Sequence, residues 1–309
     1  MSRGASTIQA VVLIAGLVVL VLGIVAMVSA TLSGPYVAEE FERSFSLPPG
    51  TRIEIEGRHG PIDYAAWDRP EVLIRATKEA SWALPWISKW FADAVVVSIS
   101  EDGRGVRAFE RFPLVMIFGN MKVRYEVRVP RSWSGEVVLT TSNGSITAQE
   151  LGGDAEIRTS NGPITVTGQS GTLRARTSNG PIELANIGGA VDVESNNGPV
   201  RVDGGVLRGT GSLRTSNGEI HVRAKLDPGA NYDAQTSNGR VSVVLVEPDV
   251  VLSLRTSNGT IDLETDVNVS QVGRNSLDGR IGNGASRLSV RTSNGDIVLS
   301  QVASSVTTH

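Results

Sequence analysis

The sequence predicts an all-β chain: a right-handed single-stranded β-solenoid, β-helix-like, of about nine to ten rungs, preceded by one N-terminal transmembrane helix. Three observations carry this. A four-residue corner, Thr-Ser-Asn-Gly, recurs from residue 141 onward. β-Branched residues alternate at period two on both sides of each corner. The 34 glycines and an aromatic content of 5% favour many tight turns over one aromatic-rich core.

The first element is the segment 8–32. It is almost continuously apolar, and no charge lies between Arg3 and Glu39. A helix rising ~1.5 Å per residue over such a run spans the ~30 Å hydrocarbon layer. The segment reads as a transmembrane signal anchor, or as a removable signal peptide, since Val28-Ser29-Ala30 resembles a small-residue cleavage site. The length of the run favours the anchor. Arg3 on one side and Glu39, Glu40 and Glu42 on the other put residues 1–7 in the cytoplasm as a tail and the repeat domain outside the cell membrane. Arg3-Gly4-Ala5-Ser6-Thr7-Ile8 is also similar to the processing site of archaeal pilin-type signal peptides, which would leave the helix free to pack in a filament. Residues 33–50 read as a linker.

The repeat domain covers 136–300, with a tail at 301–309. Thr-Ser-Asn-Gly stands at 141–144, 159–162, 177–180, 215–218, 236–239, 256–259 and 292–295, with variants at 195–198 and 276–279, so corners lie 16 to 21 residues apart. Two residues after each glycine comes Ile146, Ile164, Ile182, Val200, Ile220, Val241, Ile261, Ile281 or Ile297. This is the pattern of strands with one buried face. The copy around 276 breaks it at Arg274 and Asn283, so that rung is expected to be irregular.

Two arrangements fit a strand–corner–strand unit. In an antiparallel meander, Asn-Gly is an ordinary hairpin turn. In a solenoid each unit is one coil, and equivalent residues stack at ~4.8 Å. Only the solenoid gives a reason for every corner to be alike. Asn143, Asn161, Asn179, Asn197, Asn217, Asn238, Asn258, Asp278 and Asn294 can then form a structural ladder of buried, hydrogen-bonded amides. The glycine is expected to supply a positive φ.

Ser-Asn-Gly-x-Ile repeats behind an N-terminal apolar helix resemble the bacterial and archaeal putative-adhesin β-strand-repeat family, over roughly residues 51–300. The resemblance implies an extracytoplasmic β-helix-like domain with a role in adhesion or envelope-stress sensing. It brings no catalytic residues.

Residues 51–135 read as a variant end of the same stack. Gly60-Pro61-Ile62-Asp63 echoes Gly162-Pro163-Ile164-Thr165, and strand-like runs follow at 71–76, 94–100 and 123–129. Trp82, Trp86 and Trp90 share one face of a short helix. That helix is expected to cap the stack or to lie at a membrane interface, where tryptophan is favoured.

No constellation predicts catalysis. The histidines are His59, His221 and His309, far apart in sequence; the 32 acids are scattered, and cysteine is absent, which removes disulfides and thiolate metal sites. No metal or other cofactor is expected, and a net charge of −3 argues against a nucleic-acid partner. One feature forms a line: Arg158, Arg176, Arg214, Arg255 and Arg291 each precede the Thr of a corner, with Glu194, Gln235 and Asn275 interrupting. The line reads as a solvated face, or as a basic stripe for anionic surface glycans or lipid headgroups. The expectation is a membrane-anchored, cell-surface, non-catalytic repeat protein, an adhesin or an envelope scaffold or sensor. The alternatives are a pilin-like filament subunit, forming a homo-oligomer, and a β-helix enzyme acting on wall polysaccharide.

Overall fold

The computed structural model describes residues 36–81, 93–112 and 120–302. The anchor segment 8–32 and the helix expected around Trp82, Trp86 and Trp90 lie outside the described residues. Among the described residues no helix is long and apolar enough to cross a membrane.

The chain is strand after strand. The N-terminal part holds β1 (Tyr36–Phe45), β2 (Arg52–Glu56), β3 (Ile62–Trp67), β4 (Val72–Ser81), β5 (Val96–Asp102), β6 (Gly105–Arg111) and β7 (Asn120–Pro130). The repeats follow as β8 (Val137–Thr140), β9 (Ile146–Leu151), β10 (Ala155–Thr159), β11 (Ile164–Gln169), β12 (Leu173–Thr177), β13 (Ile182–Ile187), β14 (Val191–Ser195), β15 (Val200–Leu207), β16 (Thr210–Thr215), β17 (Ile220–Leu226), β18 (Asn231–Thr236) and β19 (Val241–Val246). The chain closes with β20 (Val250–Thr256), β21 (Ile261–Glu264), β22 (Asn268–Gly273), β23 (Ser276–Ile281), β24 (Ser286–Thr292) and β25 (Ile297–Val302). Tyr36–Phe45, expected within a linker, is therefore a strand.

Two sheets result. Sheet A has 12 strands in the order β1-β4-β7-β3-β9-β11-β13-β15-β17-β19-β25-β21, and sheet B has 13 in the order β22-β23-β20-β24-β18-β16-β14-β12-β10-β8-β2-β6-β5. Each corner carries the chain from sheet B to sheet A, so the repeats stack in parallel, as a solenoid does and a meander does not. Equivalent residues meet: Ile146, Ile164, Ile182 and Val200 pair in sheet A, and Leu139, Ile157, Ala175 and Val193 in sheet B. Nearly all of these are fully buried and form one continuous core between the sheets.

The corner explains its own sequence. The Thr hydroxyl is buried and donates to the corner-glycine carbonyl of the neighbouring rung: Thr159 to Gly144 at 3.0 Å, Thr177 to Gly162 at 3.1 Å, Thr215 to Gly198 at 2.9 Å. Ser195 does the same to Gly180 at 3.0 Å. The glycine is required by close approach rather than by a positive φ, which the corners at 144, 162, 180, 198, 218, 239, 259 and 295 do not have. A Cβ on Gly162 would stand 2.0 Å from the Gly144 carbonyl oxygen, and one on Gly198 1.8 Å from that of Gly180.

The rungs do not follow one another simply at the ends. The rung 52–67 lies between the rung formed by β6 and β7 and the first repeat, because β2 pairs with both β6 and β8, and β3 with both β7 and β9. At the other end β24 and β25 slot between the rung of β18 and β19 and the rung of β20 and β21. The copy around 276 is no rung. Arg274 and Asn283 would have faced the core in a coil; instead they fall in turns, and β22 and β23 form an antiparallel hairpin on the edge of β20.

Candidate ligand-binding face

The asparagine side chains line up along the corner, on the outside of the stack rather than in its interior. Each Nδ2 donates to the Oδ1 of the next rung: Asn161 to Asn143 at 2.8 Å, Asn179 to Asn161 at 2.8 Å, Asn197 to Asn179 at 2.7 Å, Asn217 to Asn197 at 2.9 Å and Asn238 to Asn217 at 2.8 Å. The inserted last rung keeps the line unbroken, with Asn294 donating to Asn238 and Asn258 to Asn294, both at 2.8 Å. The interior of the corner is filled by the Thr hydroxyls, which leaves the amides exposed. Asp278 does not join. It sits in the hairpin and pairs with Arg255 at 2.6 Å.

At the N-terminal end the ladder runs into His59, whose Nδ1 lies 3.0 Å from Asn143 Nδ2. Asn143 Oδ1 already accepts from Asn161, so its Nδ2 donates to His59, and the imidazole is neutral with its proton on Nε2. Burial, and then the charge of Arg58, hold the His59 pKa below its ordinary value. Beside it, Glu110 accepts the backbone N–H groups of Arg58 and, at 3.1 Å, His59. Burial outweighs those bonds and pushes the Glu110 carboxyl up to about 7. Burial also raises the phenol of Tyr125, next to Glu110. This cluster was not singled out from sequence, although Gly57-Arg58-His59-Gly60 is a degenerate corner in register with Thr141-Ser142-Asn143-Gly144.

The arginines do share one row on the outer face of sheet B. In spatial order it reads Arg158, Arg176, Glu194, Arg214, Gln235, Arg291, Arg255. Asn275 is not in it: its Nδ2 donates to the Ser257 carbonyl at 2.6 Å from a turn. The row is not bare positive charge. Arg158 pairs with Glu156, Arg176 with Glu194 at 3.4 Å and Asp192 at 3.6 Å, Arg214 with Asp233 at 3.4 Å, and Arg291 with Asp233 at 3.5 Å. The arginines are about half exposed and their acids a quarter to a half, so each pair holds its arginine only weakly.

Between this row and the corner serines the face is dished. Two depressions of about 370 and 170 Å³ share Glu194 and Asn196 in their linings; Arg158, Arg176, Ser160 and Ser178 line the first and Arg214 the second. A third, of about 370 Å³, lies across Arg174, Asp192 and Ser212. Among the described residues no group of three His, Asp or Glu is arranged to hold a metal ion. What the face offers is a shallow, periodic array of guanidinium, carboxylate and hydroxyl groups, one set per strand spacing of ~4.8 Å.

Solved structures with a related trace cover most of the chain. A "putative adhesin" from Parabacteroides distasonis is 12% identical with a TM-score of 0.44, covering 86% of this chain and 98% of its own. A "putative adhesin" from Bacteroides fragilis is 10% identical with a TM-score of 0.38, covering 84% and 97%. A "putative lipid binding protein" from P. distasonis is 10% identical, also at 0.38, covering 86% and 96%. Superpositions this loose carry no functional conclusion. No curated protein matches the sequence. A family model does match, over residues 100–300, most of the parallel stack just described, and on that match the chain belongs to the Toastrack DUF4097 family.

Proposed function

We propose that this is a non-catalytic, adhesin-like display module, tethered through residues 8–32 and binding surface polymers along the outer face of sheet B. The observation that carries the reading is the periodic row of arginines, carboxylates and serines on a stack stiffened by two hydrogen-bond ladders. Each arginine is already paired, so one anionic group gains little by displacing a carboxylate. A polymer whose charged or hydroxyl groups repeat along its length can engage several rungs, and the contacts then add through effective concentration.

The tether reading draws on topology. Tyr36 at the start of β1 pairs with Ala80, and Ser81 at the end of β4 pairs with Asn120 at the start of β7. The apolar sequences at 8–32, 82–91 and 114–118 therefore all join the described stack at one corner. With that corner at the bilayer, the rest of the stack projects away from it.

The test is the full chain on cells. The repeats should be cut by external protease, and the cells should bind long anionic or zwitterionic glycans in preference to their short fragments. Binding should fall as salt rises. Repeats protected from protease, or binding indifferent to polymer length, would refute the reading.

A further inference from the structure

The two ends of the stack are finished differently. At the N-terminal end, strands are present in both sheets and are tied together: Arg43 of β1 donates from Nη1 to the Ile99 carbonyl of β5 at 2.8 Å, across from sheet A to sheet B. At the C-terminal end sheet A stops at β21, whereas sheet B runs on through β23 and β22. Sheet B overhangs by two strands.

The inner side of that overhang is apolar and only partly covered: Leu277 of β23 is buried and Val267 packs beside Gly279, whereas β22 is exposed along its length. Leu254 and Leu252 of β20 face the core and are fully buried. In register with them, Leu254 aligns with Leu277 and then Val272, and Leu252 with Gly279 and then Val269. Val269 and Val272 thus point to the core side, yet they are 39% and 72% exposed, because sheet A has ended. Opposite them is the bare edge of β21, with Ile261 and Leu263 only partly buried. Both β21 and β22 are the last strands of their sheets, so each leaves one row of backbone N–H and C=O groups unpaired by sheet.

The charges of the two edges are opposite. Asp262, Glu264 and Asp266 are exposed along and just beyond β21, and Arg274 and Arg280 are exposed on the hairpin. None of these five makes a salt bridge among the described residues; Arg280 acts on Asp249 only at longer range. Two β21 edges would repel each other through their acids. A β21 edge beside a β22 hairpin would not.

We propose that this end docks a second copy of the chain, tail to tail. A two-fold axis along the strand direction turns one copy over, so its overhang enters the step left by the other's short sheet A. β21 of each copy then pairs antiparallel with β22 of the other. The contact is isologous and closes both bare edges at once. Val269 and Val272 of the two overhangs come face to face over Ile261 and Leu263, and the acids of β21 lie on the same outer side as the hairpin arginines. With the opposite end of each stack at a membrane, such a pair bridges two facing surfaces, so the partner of this adhesin-like module is itself. That consequence rests on the tether proposed above; the pairing does not.

The full chain in detergent should be a dimer by light scattering. The sequence has no cysteine, so Val272→Cys is the only thiol, and a short bis-maleimide should convert that variant to a covalent dimer. The double variant Val269→Lys and Val272→Lys should be monomeric and still unfold cooperatively, since both side chains are exposed, at a temperature that no longer depends on protein concentration. Asp262→Arg and Arg280→Asp should each weaken the dimer about tenfold, and together restore it. A wild-type monomer, a dimer that survives the lysines, or open-ended polymers would overturn the pairing. Phosphatidylcholine vesicles carrying the chain should cluster, and the lysine variant should not cluster them. A chain that fails to float with the vesicles would defeat the tether while leaving the detergent result to decide the pairing.

Discussion

Thr177→Val tests the reason given for the corner. The substitution keeps the shape of the side chain and removes one hydroxyl, which is 5% exposed as a residue and donates to the Gly162 carbonyl at 3.1 Å. Leaving that buried acceptor without its donor costs about 1–3 kcal/mol. The extra buried methyl returns ~0.8 kcal/mol at most. The net expectation is a loss of about 0.5–2 kcal/mol, or a melting temperature lower by roughly 1–4 °C for a chain of this size. Thermal unfolding followed by circular dichroism measures it. Thr177→Ser is the control, because Ser195 makes the same bond at 3.0 Å in the next rung. If Thr177→Val melts at or above the wild-type temperature, the hydroxyl ladder does not hold the rungs, and the repeated Thr needs another cause.

Four further outcomes follow from the same structure. Gly180→Ala should be far worse than Thr177→Val, since its Cβ would stand 2.0 Å from the Gly162 carbonyl oxygen, and it should lower expression or abolish cooperative melting. Asn179→Asp should cost about 0.5–1.5 kcal/mol in urea unfolding at pH 7, because a carboxylate oxygen would replace the exposed amide that donates to Asn161. Glu110→Gln should stabilise the chain above pH 7 by up to about 2–3 kcal/mol. The folded carboxyl is pushed up to about 7 from 4.5, so the native state holds the extra proton between those values and wild-type stability drains away as pH rises through that window. Urea midpoints at pH 4.5 and 8 separate the two chains at the higher pH only. His59→Asn should act in the opposite direction: the folded imidazole is held neutral, so wild type loses stability as pH falls below 6.5, and an amide that extends the ladder should remove that loss.

The parallel stack was readable because one physical constraint repeats. A core-facing Ile or Val two residues after each glycine fixes the strand register, and a slip by one residue would turn every such side chain outward. The identical corners are legible for the same reason, but the residue that fills their interior is Thr rather than the Asn that the pattern suggests. Asn and Thr both suit a buried polar ladder, and composition alone does not say which faces in. The depth of the corner decides it: a Thr hydroxyl reaches the neighbouring glycine carbonyl, whereas an amide would not fit there. Glycine in a corner suggests backbone freedom, while its lack of a side chain is what the approach of the next rung demands. Ser276-Leu277-Asp278-Gly279 scans like a corner, and Arg274 and Asn283 on either side signal an irregular rung but not the hairpin that takes its place. Glu110 and Tyr125 could not be paired with His59 by spacing. They meet it only because β6 and β7 fold back outside the rung 52–67.

That folding back also governs how the molecule bears load. In an ordinary repeat array the terminal units have one neighbour each and fray first. Here tension entering β25 meets a strand gripped on both flanks, by β19 and by β21. Tension from the opposite side, once β1 has been stripped, meets β2 gripped by β6 and β8. Either strand must slide out lengthwise, rupturing two rows of bonds together instead of peeling one bond at a time. A pull entering through β25 is therefore resisted by two strand interfaces at once.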